Sequence, residues 1–327
     1  ETRGQLHVAT GKSSVAHGRI VRLDLSSVRS APGVADVVTF EDIPGSGDVS
    51  PVHEGDLLLA DGVVDYVVQP LFAVAASSLR AAKQACALAD IKIDAEEPVL
   101  TVRKALETES FVLPTRTFQM GDATAAIAEA DVVLESEQYI RGQEHFYLEG
   151  QVCLAIPAED RGVHVISSTQ HPSEVQKLVA SVLDIAINRV QVEVRRMGGG
   201  FGGKESQAAA LAGIAALFAV RCDRPVKYRM PRQDDMVQTG KRHDFLNRYR
   251  VGADKNGVIK GVEMDLAGLC GCTADLSEGI VDRAMFHADN AYYYPASTIR
   301  GYRCRTHTVS NTAFRGFGGP KGMIAAE

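Results

Sequence analysis

Residues 198–205 read Gly198-Gly199-Gly200-Phe201-Gly202-Gly203-Lys204-Glu205, five glycines around one phenylalanine. No other stretch restricts the fold as much. Glycine adopts positive φ freely and lets a bulky ligand approach the main chain closely. A plain structural turn needs one or two glycines, so this run implies a backbone with a further task. The loop lies between a predicted strand, Val190 to Val194, and a predicted helix, Glu205 to Val220. Main-chain N–H groups at a helix N-terminus favour an anionic ligand. The spacing from Gly198 to Gly203-Lys204 imitates a P-loop. The next residue argues against one: a P-loop needs Ser or Thr there to hold Mg²⁺, and Glu205 would repel phosphates. No convincing Walker-B strand follows, so a nucleotide triphosphatase is set aside.

The other bulk properties mainly exclude. With 327 residues, more than one domain is expected. A net charge of −6 argues against a nucleic-acid binder. No apolar run reaches the length needed to cross a bilayer, and no signal-peptide pattern opens the chain. The six cysteines form no CxxC pair and fit neither a zinc site nor an iron–sulfur cluster. Cys270 and Cys272, the one close pair, read as strand residues facing the same side. Sparse, irregular cysteines suit a reducing compartment, so a cytoplasmic location is expected. The chain starts at Glu1 and ends at Glu327 within the run Gly322-Met323-Ile324-Ala325-Ala326, from which a piece of a longer chain is expected.

Periodicity predicts small α/β units over the first hundred residues: strands Arg19 to Leu23, Ala35 to Thr39 and Ile91 to Asp94, a helical turn Ser26 to Ser30, and a helix Leu79 to Ala89. Val63 to Ala76 reads as strand, with Pro70 marking a break or an edge. A boundary is expected near Glu109 to Thr117, around Pro114. Beyond it come a short helix, Ala123 to Ala130, and strands Val132 to Tyr139, Gln151 to Ile156 and Val163 to Ser168. Ser173-Glu174-Val175-Gln176 has capping-box spacing, and Val175, Leu178, Val179, Val182 and Leu183 form a core-facing helical stripe. Arg248 to Val251 and Val258 to Leu266 flank Asn256-Gly257 as a hairpin.

Three further segments carry polar groups that can serve chemistry. Ser168-Thr169-Gln170-His171-Pro172 lies at a strand end, a natural ligand position, although a lone Gln such as Gln170 is usually just a turn residue. Asp282-Arg283-Ala284-Met285-Phe286-His287 presents Arg283, which taken alone is a salt-bridge partner. Asn311-Thr312-Ala313-Phe314-Arg315-Gly316-Phe317-Gly318-Gly319-Pro320 sets Arg315 between aromatics and glycines, poor core material but also compatible with a surface turn.

Together these segments resemble the molybdenum-binding subunit of the xanthine dehydrogenase and aldehyde oxidase family. Arg196-Met197 before the glycine loop, Gly142-Gln143-Glu144-His145-Phe146-Tyr147-Leu148-Glu149 and Gly240-Lys241-Arg242-His243-Asp244-Phe245 belong to the match, which runs over the whole chain. The resemblance implies an α+β fold. An α/β hammerhead domain, residues 1–112, is followed by the first part of a molybdopterin-binding α/β domain, residues 113–327. It implies that Gln170, Phe201 and Arg315 surround the molybdenum, and that Gly200 and Gly202 lie in the loop that wraps the pterin. Backbone and Gln amides can donate to oxygens on the metal, and Arg can offset the charge of a dithiolene complex.

Within the family, Glu205 and Arg283 match the xanthine dehydrogenase pattern, where aldehyde oxidases tend to carry apolar or uncharged residues. Arg283 would stabilise charge developing on a purine carbonyl oxygen, Glu205 would hold the opposite edge, and Phe317 matches one of two rings that sandwich the substrate. The implied reaction is hydroxylation of hypoxanthine or xanthine towards urate, with oxygen from water and a glutamate as base. No residue of this chain matches that base, which is expected beyond Glu327. The implied cofactor is molybdopterin, with or without a nucleotide tail. 2Fe–2S clusters and FAD would sit on a partner subunit and pass electrons to NAD⁺. A hetero-oligomer and a cofactor-maturation chaperone are the implied partners, with no nucleic acid and no membrane. Lys321 departs from the family's usual Gln. An aldehyde- or heterocycle-oxidising relative and a cofactor-free, inert scaffold are the competing readings.

Overall fold

A computed structural model describes residues 2–327. The chain divides into two packed units, interleaved in sequence. The first comprises the chain up to Pro98, His145–Gly240 and His307–Val309; the second comprises Val99–Glu144, Lys241–Thr306 and Ser310–Glu327. This division follows spatial contact, whereas the one expected from the sequence is consecutive.

The first unit is built on a mixed seven-stranded sheet. Its order is Val190–Glu193, Val163–Ser167, Val152–Pro157, Val226–Arg229, Leu6–Lys12, Pro70–Ala76 and Val34–Val38. The period-two alternation of strand side chains divides Pro70–Ala76 between two cores. Ala73 and Ala75 join the helices Pro172–Leu183 and Ala208–Cys222, while Phe72, Val74 and Ala76 join Ala82 and Ala85 of the helix Leu79–Cys86. The helix Ala208–Cys222 is buried along nearly its whole length, as its uniformly apolar sequence requires. A three-stranded sheet, in the order Val63–Val64, Gly18–Asp24, Asp90–Ala95, packs Ile20, Leu23, Ile91 and Ile93 against the second core.

The second unit is a five-stranded sheet in the order Phe111–Met120, Ser297–Arg305, Ile259–Gly271, Phe245–Ala253, Val132–Ile140. The expected hairpin forms its centre, its turn closed by Asp254, whose Oδ1 accepts from the N–H groups of Asn256 and Val258 at 2.9 and 3.0 Å. The helices Ser277–Met285 and Gly319–Ala326 supply Ile280, Val281, Ala284, Met285 and Ala325 to one core with Phe245, Val262, Met264 and Leu266. These helices meet through glycine. A Cβ on Gly322 would overlap the carbonyl oxygen of Ala284, and one on Gly318 that of Ile280. Gly322→Ala is therefore expected to lower stability by about 1–3 kcal/mol as the helices are pushed apart. Urea unfolding would show this as a lower midpoint with an unchanged slope.

Four expectations are corrected. The segment Glu109 to Thr117, read as lacking a clear period, contains most of the strand Phe111–Met120. Pro114 is tolerated because this is an edge strand and the pairing register slips there, between Gly301 and Arg303. Of the two readings of Pro70, the break holds and the edge does not: Val63–Val64 and Pro70–Ala76 are separate strands, with Val68 at φ 66° between them, and the second lies inside its sheet. The helix expected from Glu205 starts at Ala208, since Gly202 and Gly203 favour turns. The helix at Ser173 has no capping box: it starts with Pro172 at its first position, and no side chain caps it. The strands Leu6–Lys12 and Ser297–Arg305, and the helices Arg232–Gln238 and Gly319–Ala326, carry no clear signal in the sequence. Among the described residues no cysteine is in a disulfide, and no helix is long and apolar enough to cross a membrane.

Candidate functional site

In the first unit the strand Val163–Ser167 ends at the segment Ser168-Thr169-Gln170, which runs beside the glycine loop. The N–H of Gln170 donates to the carbonyl of Lys204 at 2.8 Å. Its side-chain Oε1 accepts from the N–H groups of Gly202 and Lys204 at 2.9 and 3.3 Å. Two donors at one end fix the amide orientation, so Nε2 is turned away from the loop and remains a donor. Gly200 is required by this contact, because a Cβ there would stand 2.5 Å from Gln170 Oε1.

Phe201 is held at φ 54° between Gly200 and Gly202 and is 47% exposed. Phe317 has φ 56° between Gly316 and Gly318 in the second unit. Two phenylalanines in left-handed backbone, each at the tip of a glycine turn, store of order 1–2 kcal/mol apiece. Strain of this kind persists where the surrounding structure needs a side chain aimed in one direction.

The loop rests on a buried cation, Lys204, whose place after the glycine run imitates a P-loop lysine. Lys204 has no exposed side-chain surface, and its Nζ donates to the carbonyl of Glu149 at 2.7 Å, to Glu149 Oε2 at 3.0 Å and to Ser168 Oγ at 2.9 Å. The ammonium also lies 4.7 Å from the centre of the Tyr147 ring. Glu149 accepts in addition from the Ser168 hydroxyl and, at 3.0 Å, from the N–H of Gly198. Burial pushes the Glu149 carboxyl up, but the Gly198 N–H, Ser168 and Lys204 together outweigh it and hold it below its ordinary value. Burial lowers the Lys204 ammonium, against the opposing pull of Glu149. The far end of the loop is tied down by Gln151, whose Nε2 donates to the carbonyl of Gly203 at 2.8 Å and to Tyr147 Oη at 3.1 Å. Tyr147 in turn donates to the buried Asp235 at 2.7 Å. Both ends and the middle of the loop are therefore fixed before any ligand arrives. Glu205 follows it, half-buried, its N–H on the carbonyl of Gly202 at 3.2 Å.

In the second unit Arg315 is exposed and carries no ion pair among the described residues, while its carbonyl accepts from Arg242 at 2.6 Å. Arg242 also donates to the carbonyl of Phe317 at 3.4 Å and lies 3.8 Å from the centre of the Phe314 ring. One guanidinium thus shapes the whole Phe314–Phe317 turn. Phe317 packs beside Gly279 on the helix Ser277–Met285; Arg283 stands one turn further along the same face and is exposed. The salt-bridge role weighed for Arg283 falls to its neighbour: Asp282 pairs with Arg116 and Arg303, and Arg283 has no ion pair among the described residues. Lys321 is buried and donates to the carbonyl of Arg141 at 2.7 Å. Burial and the nearby Arg242 lower its ammonium to about 8.

Gln170, Gly200, Phe201, Gly202 and Glu205 are thus grouped in the first unit, and Arg283, Arg315 and Phe317 in the second. In the first unit the fixed glycine-loop backbone, the Gln170 amide and the strained Phe201 suit an anionic cofactor approached along the main chain; in the second the exposed Arg315 guanidinium suits negative charge, so the residues of each unit, taken by itself, fit a molybdopterin. The comparison with known families agrees. Residues 106–327 match the molybdopterin cofactor-binding domain, and residues 1–97 match the a/b hammerhead domain of aldehyde oxidase and xanthine dehydrogenase. The chain belongs to the xanthine dehydrogenase/aldehyde oxidase family of molybdenum hydroxylases.

It is 40% identical over 99% of its length to xanthine dehydrogenase/oxidase of Gallus gallus, and 42% identical over 98% to aldehyde oxidase 3 of Rattus norvegicus, covering 24% of each. The chain therefore spans about a quarter of the length of these relatives. Its fold matches that of the aldehyde oxidoreductase of Desulfovibrio gigas with a TM-score of 0.90 at 24% identity, covering 100% of this chain and 38% of that one. Quinoline 2-oxidoreductase of Pseudomonas putida matches with the same TM-score of 0.90 at 23% identity, over 99% of this chain and 44% of that one.

Proposed function

We propose that the full-length protein is the molybdenum-cofactor-binding subunit of a xanthine dehydrogenase, hydroxylating hypoxanthine and xanthine towards urate. The observation that carries this reading is the exposed guanidinium of Arg283, a residue that with Glu205 matches the xanthine dehydrogenase pattern. Arg283 is exposed and has no ion pair among the described residues although the acidic Asp282 is its neighbour, so its charge remains available to a ligand. A guanidinium of this kind stabilises negative charge developing on a purine carbonyl oxygen. Glu205 accepts from a ring N–H at another edge of the base. Phe317 offers its ring face to the flat heterocycle. An aldehyde has no comparable rim of donors and acceptors, and would leave these groups unused.

The molybdenum carried by the molybdopterin would, when bound, supply the two-electron redox centre for this chemistry. The residues that would hold the cofactor are Gln170 through Nε2, the loop backbone around Gly200 and Gly202, Phe201, and Arg315. Domains 1–112 and 113–327 are the proposed family division. Iron–sulfur clusters and FAD on a partner subunit, a maturation chaperone, a hetero-oligomeric assembly and a cytoplasmic location complete the reading.

The experiment is a substrate panel on the full-length, cofactor-loaded protein and its Glu205→Ala and Arg283→Ala variants. Xanthine kcat/KM is expected to fall by at least about 100-fold in each variant, the loss of one charged hydrogen bond of about 3 kcal/mol, with aldehyde turnover far less affected. Equal losses on both substrates would defeat the purine assignment and favour the second reading, an aldehyde oxidase, which the identity to the rat enzyme supports. The 327-residue chain alone we take to be an inert scaffold that retains no cofactor. Stoichiometric molybdenum with turnover in the isolated chain would overturn that.

A further inference from the structure

The three-stranded sheet of the first unit gathers metal-binding side chains at one end. Gly18 pairs with Val64 on one side and with Ala95 on the other, both antiparallel. The residue before Gly18 therefore faces the residues after Val64 and after Ala95. These are His17, Asp65 and Glu96. His307, from the His307–Val309 segment of the same unit, stacks on His17 with ring centres 3.8 Å apart and planes 24° apart. Ligand atoms of His17, Asp65 and His307 all lie within 4.8 Å of one another, and each residue is partly buried.

We propose that His17, Asp65 and His307 bind one first-row divalent cation, with Zn²⁺ the best fit, and that Glu96 supplies the remaining protein ligand. The donor chemistry is that of zinc: two imidazoles and two carboxylates, with no thiolate. His17 is already set in the required tautomer. Its Nδ1 lies 2.9 Å from the carbonyl of Val64, an acceptor only, so Nδ1 carries the proton and Nε2 keeps its lone pair. Glu96 Oε2 stands 3.4 Å from that Nε2, and Asp65 Oδ1 3.9 Å from Nδ1. A tetrahedral ion with bonds of about 2.1 Å holds its ligand atoms about 3.4 Å apart. Closing on the ion needs a contraction of roughly 1 Å and a turn of one imidazole out of the stack, both within the reach of side-chain rotation. The ion would clip together chain positions far apart in sequence, so its binding would add to the stability of the folded unit.

The test uses the protein as it is, stripped with chelator and then equilibrated with Zn²⁺, with bound metal measured by elemental analysis. Wild type and the control His7→Gln are expected to bind one equivalent, while His17→Gln and His307→Gln lose it. Asp65→Asn, a milder change at a strand end, is expected to bind more weakly than wild type. Zn²⁺ should raise the thermal midpoint of wild type and leave that of His307→Gln unchanged. Co²⁺ in place of Zn²⁺ should give the visible absorption of tetrahedral coordination in wild type alone. Failure of wild type to bind, or retention of the equivalent by all three variants, would overturn the proposal. Circular dichroism on each variant separates a lost ligand from a lost fold.

Discussion

Glu149→Gln is expected to destabilise the protein by about 3 kcal/mol, and by more than Lys204→Met does, although both remove the same ion pair. The asymmetry follows from burial. Lys204 has no exposed side-chain surface, whereas Glu149 is 39% exposed. Taking away the carboxylate strands an ammonium that water cannot reach, left with the Glu149 carbonyl and the Ser168 hydroxyl. Taking away the ammonium leaves a carboxylate still served by the Gly198 N–H, Ser168 and solvent. Met also refills the volume of the lysine stem, so Lys204→Met should cost about 1–2 kcal/mol. Urea unfolding of the two variants and the double mutant measures both terms and their coupling. A larger loss for Lys204→Met would show that the carboxylate, and not the ammonium, is the stranded charge.

The same pair has a pH signature of known sign. The Glu149 carboxyl is held below its ordinary value in the folded protein. The unfolded chain therefore takes up a proton first as pH falls, and the contribution is complete above the unfolded value and lost below it.

Acid is expected to destabilise the protein chiefly through His243. Burial, with the positive charges of Lys321 and Arg242 nearby, lowers this imidazole from 6.5 to about 3. Its Nε2 lies 2.7 Å from Ser277 Oγ, and the ring is 1% exposed. The folded value is depressed, so between 6.5 and about 3 the unfolded chain binds a proton that the folded protein refuses. Stability is fully present above the unfolded value and falls with pH across that window. The loss reaches on the order of 4–5 kcal/mol at its acid end and about 2 kcal/mol between about pH 7 and about pH 5. His243→Gln should flatten that part of the profile, since the amide has no proton to gain. Chemical unfolding at the two pH values, wild type against variant, isolates His243 from the other histidines. Equal losses in both proteins would place the acid sensitivity elsewhere.

Much of the candidate site is legible in the sequence because its residues are chemically conspicuous. A phenylalanine among five glycines and an arginine between aromatics make poor core, and both occur at turns. Arg283 was ambiguous for a physical reason: an arginine next to an aspartate reads as half of a salt bridge. Only the tertiary structure gives Asp282 to Arg116 and Arg303 and leaves Arg283 exposed. Lys204 was misleading in the opposite direction. Following a glycine run, it reads as a phosphate ligand, yet it is buried under the loop as a strut. Glu149 and Ser168, far from it in sequence, decide that, and no local pattern records their approach.

Local sequence is enough for the glycine turns, for the buried apolar helix read over Glu205 to Val220, and for the hairpin around Asn256-Gly257. All of these depend on short-range periodicity or on residue types with unusual backbone freedom. The tertiary structure decided what depends on long-range pairing. It placed Leu6–Lys12 in parallel beside Val226–Arg229, interleaved the two packing units, and brought His307 onto His17. Strand partners and buried charges are chosen by burial across the whole chain, and a local window of sequence does not contain the residues that make the choice.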